Sequence, residues 1–170
     1  SSTLMDTVWT IDIRTDMKYE DGTPITAHDY VYTYLAYIDP LLLNSRGSTF
    51  FPTADRKNGY KIVNSRQYFL QEPNLDGVKG TVAKESVGFK ALDNDTIQIT
   101  FDEPVSQTSP IGLLSNMYLI NKTAFEKSLN ESKDKSSYGT ILHPYVSYGP
   151  YIIKSWDNNA KIILNKNYDY

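Results

Sequence analysis

Trp9, Ile11 and Ile13 alternate with Thr10, Asp12 and Arg14, and a period of two predicts a strand with one buried face. Asp21-Gly22 marks a turn. Beyond it the period changes: Ala27, Val31, Tyr34, Leu35 and Ile38 fall on one helical face, the spacing of an amphipathic helix. Thr26 is placed to cap it, with Asp29 at the third position of a capping box and its charge near the positive end of the helix dipole. Pro40 ends it.

Residues 41–58 read as irregular, punctuated by Gly47, Pro52 and Gly59. Between Tyr60 and Leu70, the residues Ile62, Arg66, Phe69 and Leu70 suit one face of a second helix, and 73–80 reads as a loop. Val87, Phe89 and Ala91 alternate, as do Ile97, Ile99 and Phe101, across Asp93-Asn94-Asp95; this predicts a hairpin, its second strand ending at Pro104. Ser109-Pro110 reads as the cap and first residue of a short helix toward Asn116. Thr123-x-x-Glu126 reads as a capping box for a charged helix through about Lys133. Tyr151–Trp156 and Lys161–Asn165 flank a polar turn as a second hairpin. The sum is α+β, a mixed, mostly antiparallel sheet with packed helices.

The 170 residues allow one domain, or one and part of another, and 40% hydrophobic content permits a packed core. No apolar run approaches the roughly 18 residues of a membrane-spanning helix. Seventeen basic against 20 acidic residues leave a net charge of −3; the basic residues are scattered, which argues against a nucleic-acid partner. Cysteine is absent, removing disulfides, thiolate zinc sites and thiol nucleophiles together. Fourteen tyrosines supply rings with polar tips, suited to half-wet clefts as well as to ordinary packing. The chain opens on Ser1-Ser2-Thr3 and closes on Asn167–Tyr170 without an initiator Met, lipid-attachment Cys or final turn signal, so it is expected to be an excerpt from a longer protein.

His28 and His143 are the only histidines, and neither has a second ligand at metal-binding spacing. No metal or cofactor is expected. Glu20-Asp21 and Asp102-Glu103 are paired carboxylates at strand ends or turns, where charges are usually just solvated, and no G-x-S-x-G, Walker A or dinucleotide fingerprint occurs. No residue is assigned a catalytic role.

Taken in order, several segments resemble the family 5 extracellular solute-binding proteins, the oligopeptide-, dipeptide- and nickel-binding receptors of bacterial ABC importers. They are Trp9–Arg14 with Asp21–Tyr32, the Val87–Thr96 hairpin followed by Glu103-Pro104, the Ser147–Tyr151 turn, and Ile162–Tyr168. Tyr148 stands where the family usually has Asn, the proline expected after Asn167 is missing, and Asn44–Gly80 matches none of the family's motifs.

The resemblance implies part of a type II periplasmic-binding-protein-like fold. Residues 1–121 would form the small additional domain, 122–170 would re-enter lobe I, and the remainder would lie outside the chain. It implies noncovalent capture of a small peptide ligand without catalysis, and delivery to an ABC permease. It also implies a monomeric full-length receptor, either lipid-anchored on the extracellular face or periplasmic. Arg46, Gly47, Ser48 and Thr49 resemble the cleft-facing loop of peptide receptors, with Arg46 as a partner for a ligand carboxylate. Another solute (a nickel chelate, sugar or signalling peptide) would suit the same fold. Two other classes stay open at this point: a secreted hydrolase, which requires two close buried acids, and a freestanding interaction domain, which requires a closed core and an exposed apolar patch.

Overall fold

The computed structural model describes residues 4–51, 59–74, 77–78, 82–157, 160–168 and 170. Its elements are β1 (Met5–Asp12), α1 (Ala27–Tyr37), α2 (Ser65–Leu70), β2 (Pro73–Asn74), β3 (Gly77–Val78), β4 (Phe89–Ala91), β5 (Thr96–Ser106), α3 (Thr108–Ser115), α4 (Lys122–Lys127), β6 (Tyr151–Asp157) and β7 (Lys161–Lys166). Short 3₁₀ turns lie at Gly47–Thr49 and Lys84–Ser86.

β5 lies between β1 and β4 in an antiparallel three-stranded sheet. The register places Trp9 and Phe89 either side of Ile99, and Ile11 and Ala91 either side of Ile97. Alternation therefore gathers these apolar side chains on one face. α1 covers it. Tyr34, Ile97 and Ile99 are fully buried, and the Tyr34 ring stacks on Phe89 with centroids 4.6 Å apart and planes 9° apart. Tyr34 also shares a 2.7 Å hydrogen bond with the buried Ser65 hydroxyl, so α2 is tied to the same point.

The start of α1 follows its sequence signal. The Thr26 N–H and hydroxyl both donate to Asp29 Oδ2, at 2.8 and 3.0 Å. The Ala27 N–H donates to the Asn94 carbonyl at 2.7 Å, which fixes the helix against the β4–β5 turn. A smaller core of Tyr19, Ile25 and Leu119 packs with Met17, Tyr30, Val146 and Tyr148. Across it, the Glu20 N–H donates to the Ser147 carbonyl and the Ser147 N–H to Glu20 Oε1. Tyr148, at the position that departs from the family pattern, accepts from the Leu119 N–H at 3.1 Å and meets Tyr19 edge-on.

Five sequence expectations are corrected. β5 runs through Pro104 to Ser106: pairing with β1 is irregular between Asp6 and Val8, and the proline falls in that stretch, where no ladder N–H is required. The second helix is limited to Ser65–Leu70 and buries Ser65 and Tyr68, because Ile62 bridges Phe101 in extended form while Leu70 stays exposed. α3 begins at Thr108 with Gln107 as cap, so Ser109 and Pro110 lie within the first turn, whose N–H groups have no intrahelical acceptors. Asn121, not Thr123, caps α4, its side chain accepting from the Ala124 N–H at 3.0 Å. That helix stops at Lys127, where the buried Ser128 hydroxyl bonds back to the Phe125 carbonyl. The loop expected over 73–80 contains the short β2–β3 pair.

Tyr34→Phe is expected to lower unfolding free energy by about 1–3 kcal/mol, because it leaves the buried Ser65 hydroxyl without its partner; urea denaturation measures this. The tyrosines also set an alkaline limit. Burial, with the charges of Asp39 and Glu85, pushes the Tyr68 hydroxyl up to about 12, and burial also raises Tyr34. An unfolded tyrosine ionises near about pH 10. Stability that depends on these protonated hydroxyls is therefore complete below that pH and is lost as pH rises toward the folded values. Denaturation midpoints measured between pH 8 and 12 should stay level and then fall beyond about pH 10.

Candidate functional site

The loop after α1 is positioned by aromatic packing. Phe50 is buried and meets Tyr34 edge-on at 5.8 Å and stacks with Tyr37 at 5.1 Å. Between this anchor and Asn44 the backbone turns tightly: the Gly47 N–H donates to the Asn44 carbonyl, and the Thr49 N–H to the Arg46 carbonyl. A Cβ at Gly47 would stand 2.5 Å from the Tyr37 carbonyl oxygen and 2.7 Å from the Phe69 ring, so only glycine lets the loop lie this close to α1.

Beside the loop is a cavity of about 620 Å³. Tyr37 and Phe50 form its buried floor, and Arg46, Thr49, Asn116 and Tyr118 its exposed rim. Tyr60 and Ser109 line it further along; Tyr60 comes in over α3, its hydroxyl 3.0 Å from where a Cβ at Gly112 would be. The Arg46 guanidinium lies over the Tyr118 ring, 5.4 Å from its centroid. Tyr37 donates through its hydroxyl to the Tyr118 carbonyl at 3.0 Å. Burial pushes the Tyr37 hydroxyl upward in pKa, and the nearby Arg46 charge works against that shift.

Of the four residues marked in the sequence, Arg46 and Thr49 line the cavity. Gly47 is buried beneath the loop, and Ser48 lies inside the 3₁₀ turn. Thr49 uses its hydroxyl hydrogen on the Arg46 carbonyl at 2.6 Å, leaving oxygen lone pairs as its offering. Tyr37, Tyr60, Asn116 and Tyr118 were not legible as site residues. Their only sequence signal was the abundance of tyrosine, and the fold alone brings positions so far apart in the chain together.

The acids considered for catalysis stand apart from this cavity. Glu20 is occupied by Ser147, Asp21 accepts from the Thr23 N–H, and Glu103 pairs with Lys61 at 2.8 Å. His28 is exposed, and His143 Nδ1 shares a 2.7 Å hydrogen bond with the Ser137 hydroxyl. Among the described residues, no three His, Asp or Glu side chains gather as a metal site.

Comparison with known proteins matches the family described as bacterial extracellular solute-binding proteins, family 5 middle, over residues 5–170. The periplasmic oligopeptide-binding protein OppA of Salmonella typhimurium is 31% identical over 163 residues, spanning 96% of this chain and 26% of the relative. The chain thus spans about a quarter of the length of that relative. Among solved structures, the Escherichia coli murein tripeptide binding protein MppA superposes with a TM-score of 0.70 at 20% identity, covering 99% of this chain and 28% of that one. Listeria monocytogenes OppA bound to peptide gives 0.67 at 23% identity, covering 100% and 30%. At such identities these two likenesses show the fold, which is therefore that of part of a periplasmic binding protein. The chain belongs to the family 5 bacterial extracellular solute-binding proteins.

Proposed function

We propose that this chain is part of a receptor that captures peptides outside the membrane and delivers them to an ABC permease. In this reading residues 1–121 are the receptor's small additional domain and 122–170 the segment that re-enters lobe I, with the remainder of the receptor supplied by further chain. The receptor acts as a monomer, in the periplasm or lipid-anchored at the outer face, and changes no covalent bond in its cargo. The loop Arg46, Gly47, Ser48 and Thr49 faces the ligand: Arg46 and Thr49 present polar groups, and Gly47 and Ser48 set the turn that holds them there.

The observation that carries this is the open cavity beside that loop, floored by aromatic rings and rimmed by a guanidinium, hydroxyls and an amide. Such groups recognise a small solute by hydrogen bonds, charge and ring contacts. A relative named as an oligopeptide-binding protein, 31% identical over 163 residues, supports peptides as the ligand class. Closure of two lobes would then be driven by the ligand's greater affinity for the closed form.

Isothermal titration of mixed short peptides into the full-length receptor is expected to show saturable binding and to return the peptides intact. The same titration into residues 1–170 alone should show none, since one wall of the cleft is missing. Tight peptide binding by the 170-residue chain, or peptide hydrolysis by the receptor, would overturn the proposal.

A further inference from the structure

Between α3 and α4 the chain runs without regular structure, yet Met117, Leu119, Ile120 and Asn121 are buried, while Tyr118 turns outward and is 66% exposed. Backbone polar groups in such a buried stretch need partners, and here side chains supply three of them. The Tyr37 hydroxyl donates to the Tyr118 carbonyl at 3.0 Å, the Leu119 N–H donates to the Tyr148 hydroxyl at 3.1 Å, and the Ile120 N–H donates to Thr33 Oγ1 at 2.9 Å.

Two of these bonds grip a single peptide unit. The Tyr118 carbonyl and the Leu119 N–H belong to the same planar amide and point to opposite sides of it. Tyr37 therefore holds this unit from α1, and Tyr148 holds it from the turn before β6. Rotating the plane would change the backbone angles on either side of it, and with them the direction of the Tyr118 side chain. Tyr118 lines the cavity beside α1; Tyr148 is not among the lining residues.

Tyr148 is itself anchored. Its ring meets Tyr19 edge-on with centroids 6.1 Å apart. Its neighbour Ser147 is bonded twice to Glu20, accepting from the Glu20 N–H at 2.7 Å and donating its own N–H to Glu20 Oε1 at 3.0 Å. The Tyr148 hydroxyl is thus a fixed acceptor. An asparagine, which the resembling motif usually carries at this position, is too short to reach the Leu119 N–H from the same backbone, so the grip belongs to this sequence and not to the motif.

We infer that Tyr148 is a positioning residue for the cavity: by accepting from the Leu119 N–H it sets the Tyr118 ring at the rim, without touching the ligand itself. Removing the acceptor leaves a buried N–H unpaired, and the amide is then free to turn and carry the Tyr118 ring with it. The inference rests on the peptide-receptor reading and adds to it a residue that lies outside both the Arg46–Thr49 loop and the cavity lining.

The test is calorimetric titration of the full-length receptor with alanine-flanked tripeptides of varied central residue. Tyr148→Phe keeps the ring and removes only the acceptor. It should weaken the peptides that bind by about fivefold, the size of one hydrogen bond, and speed hydrogen exchange over residues 117–121 in mass spectrometry, with the melting temperature as the control for folding. Tyr118→Ala should also weaken binding, and Tyr148→Phe should then add nothing further, because its effect passes through Tyr118. Losses that add in the double variant, or Tyr148→Phe affinities equal to those of the unsubstituted receptor, would overturn the positioning role while leaving the receptor reading intact. Failure of the unsubstituted receptor to bind any of the peptides would overturn both.

Discussion

A run of four aromatic rings carries the fold from the sheet to the cavity. Phe89 on β4 stacks on Tyr34, Tyr34 meets Phe50 edge-on, and Phe50 stacks on Tyr37. Each contact adds the offset or edge-on preference of aromatic pairs to simple burial. Tyr37, at the end of this run, forms the cavity floor and bonds the carbonyl of Tyr118. The loop bearing Arg46 is thus fastened to the hydrophobic core by Phe50, although its own backbone is mostly exposed. A polar site on a loop becomes precise only when its supporting residues are locked. Here the lock is apolar.

Tyrosine does two jobs in this chain. Its ring fills core and half-buried space, and its hydroxyl completes a hydrogen bond that a phenylalanine would leave open: Tyr34 with Ser65, Tyr37 with the Tyr118 carbonyl, Tyr138 with the Val146 N–H, and Tyr148 with the Leu119 N–H. All but the Tyr138 bond join segments that meet only in the tertiary structure. Among the described residues no buried side-chain polar atom lacks a partner, as burial in a low-dielectric interior demands. Tyr148 shows how a departure from a family motif is accommodated: the larger side chain takes up a backbone N–H and a ring contact with Tyr19.

The β6–β7 hairpin is organised differently. Every residue of β7 is exposed, and Ile162 and Leu164 are among the exposed large hydrophobics. A two-stranded ribbon is marginal in water by itself. Its base is closed by the Asn167 N–H on the Pro150 carbonyl, the Asn167 amide on the Gly149 carbonyl, and the Ser147 hydroxyl on the Tyr151 carbonyl. Within this chain, local bonds define the hairpin.

Elements whose signal is local were legible in the sequence. The period-two runs around Trp9, Val87–Phe101 and Tyr151–Asn165 became strands, and Thr26 with Asp29 opened α1, because side-chain alternation and cap hydrogen bonds act within a few residues. Boundaries failed where a distant contact outweighed the local preference. Ile62 joined β5 through Phe101 instead of starting a helix, β5 continued past Pro104 where its ladder was already irregular, and the buried Asn121 capped α4 ahead of Thr123. Arg46 and Thr49 were picked out by their place in a resembling loop. The cavity was not legible, since Tyr37, Tyr60 and Tyr118 share no spacing, and only the packing of α1, the loop and the chain after α3 sets them around one space. Sequence by itself determined most of the α+β elements and the family. The tertiary structure decided which side chains meet, because that depends on core contacts between residues that no local period relates.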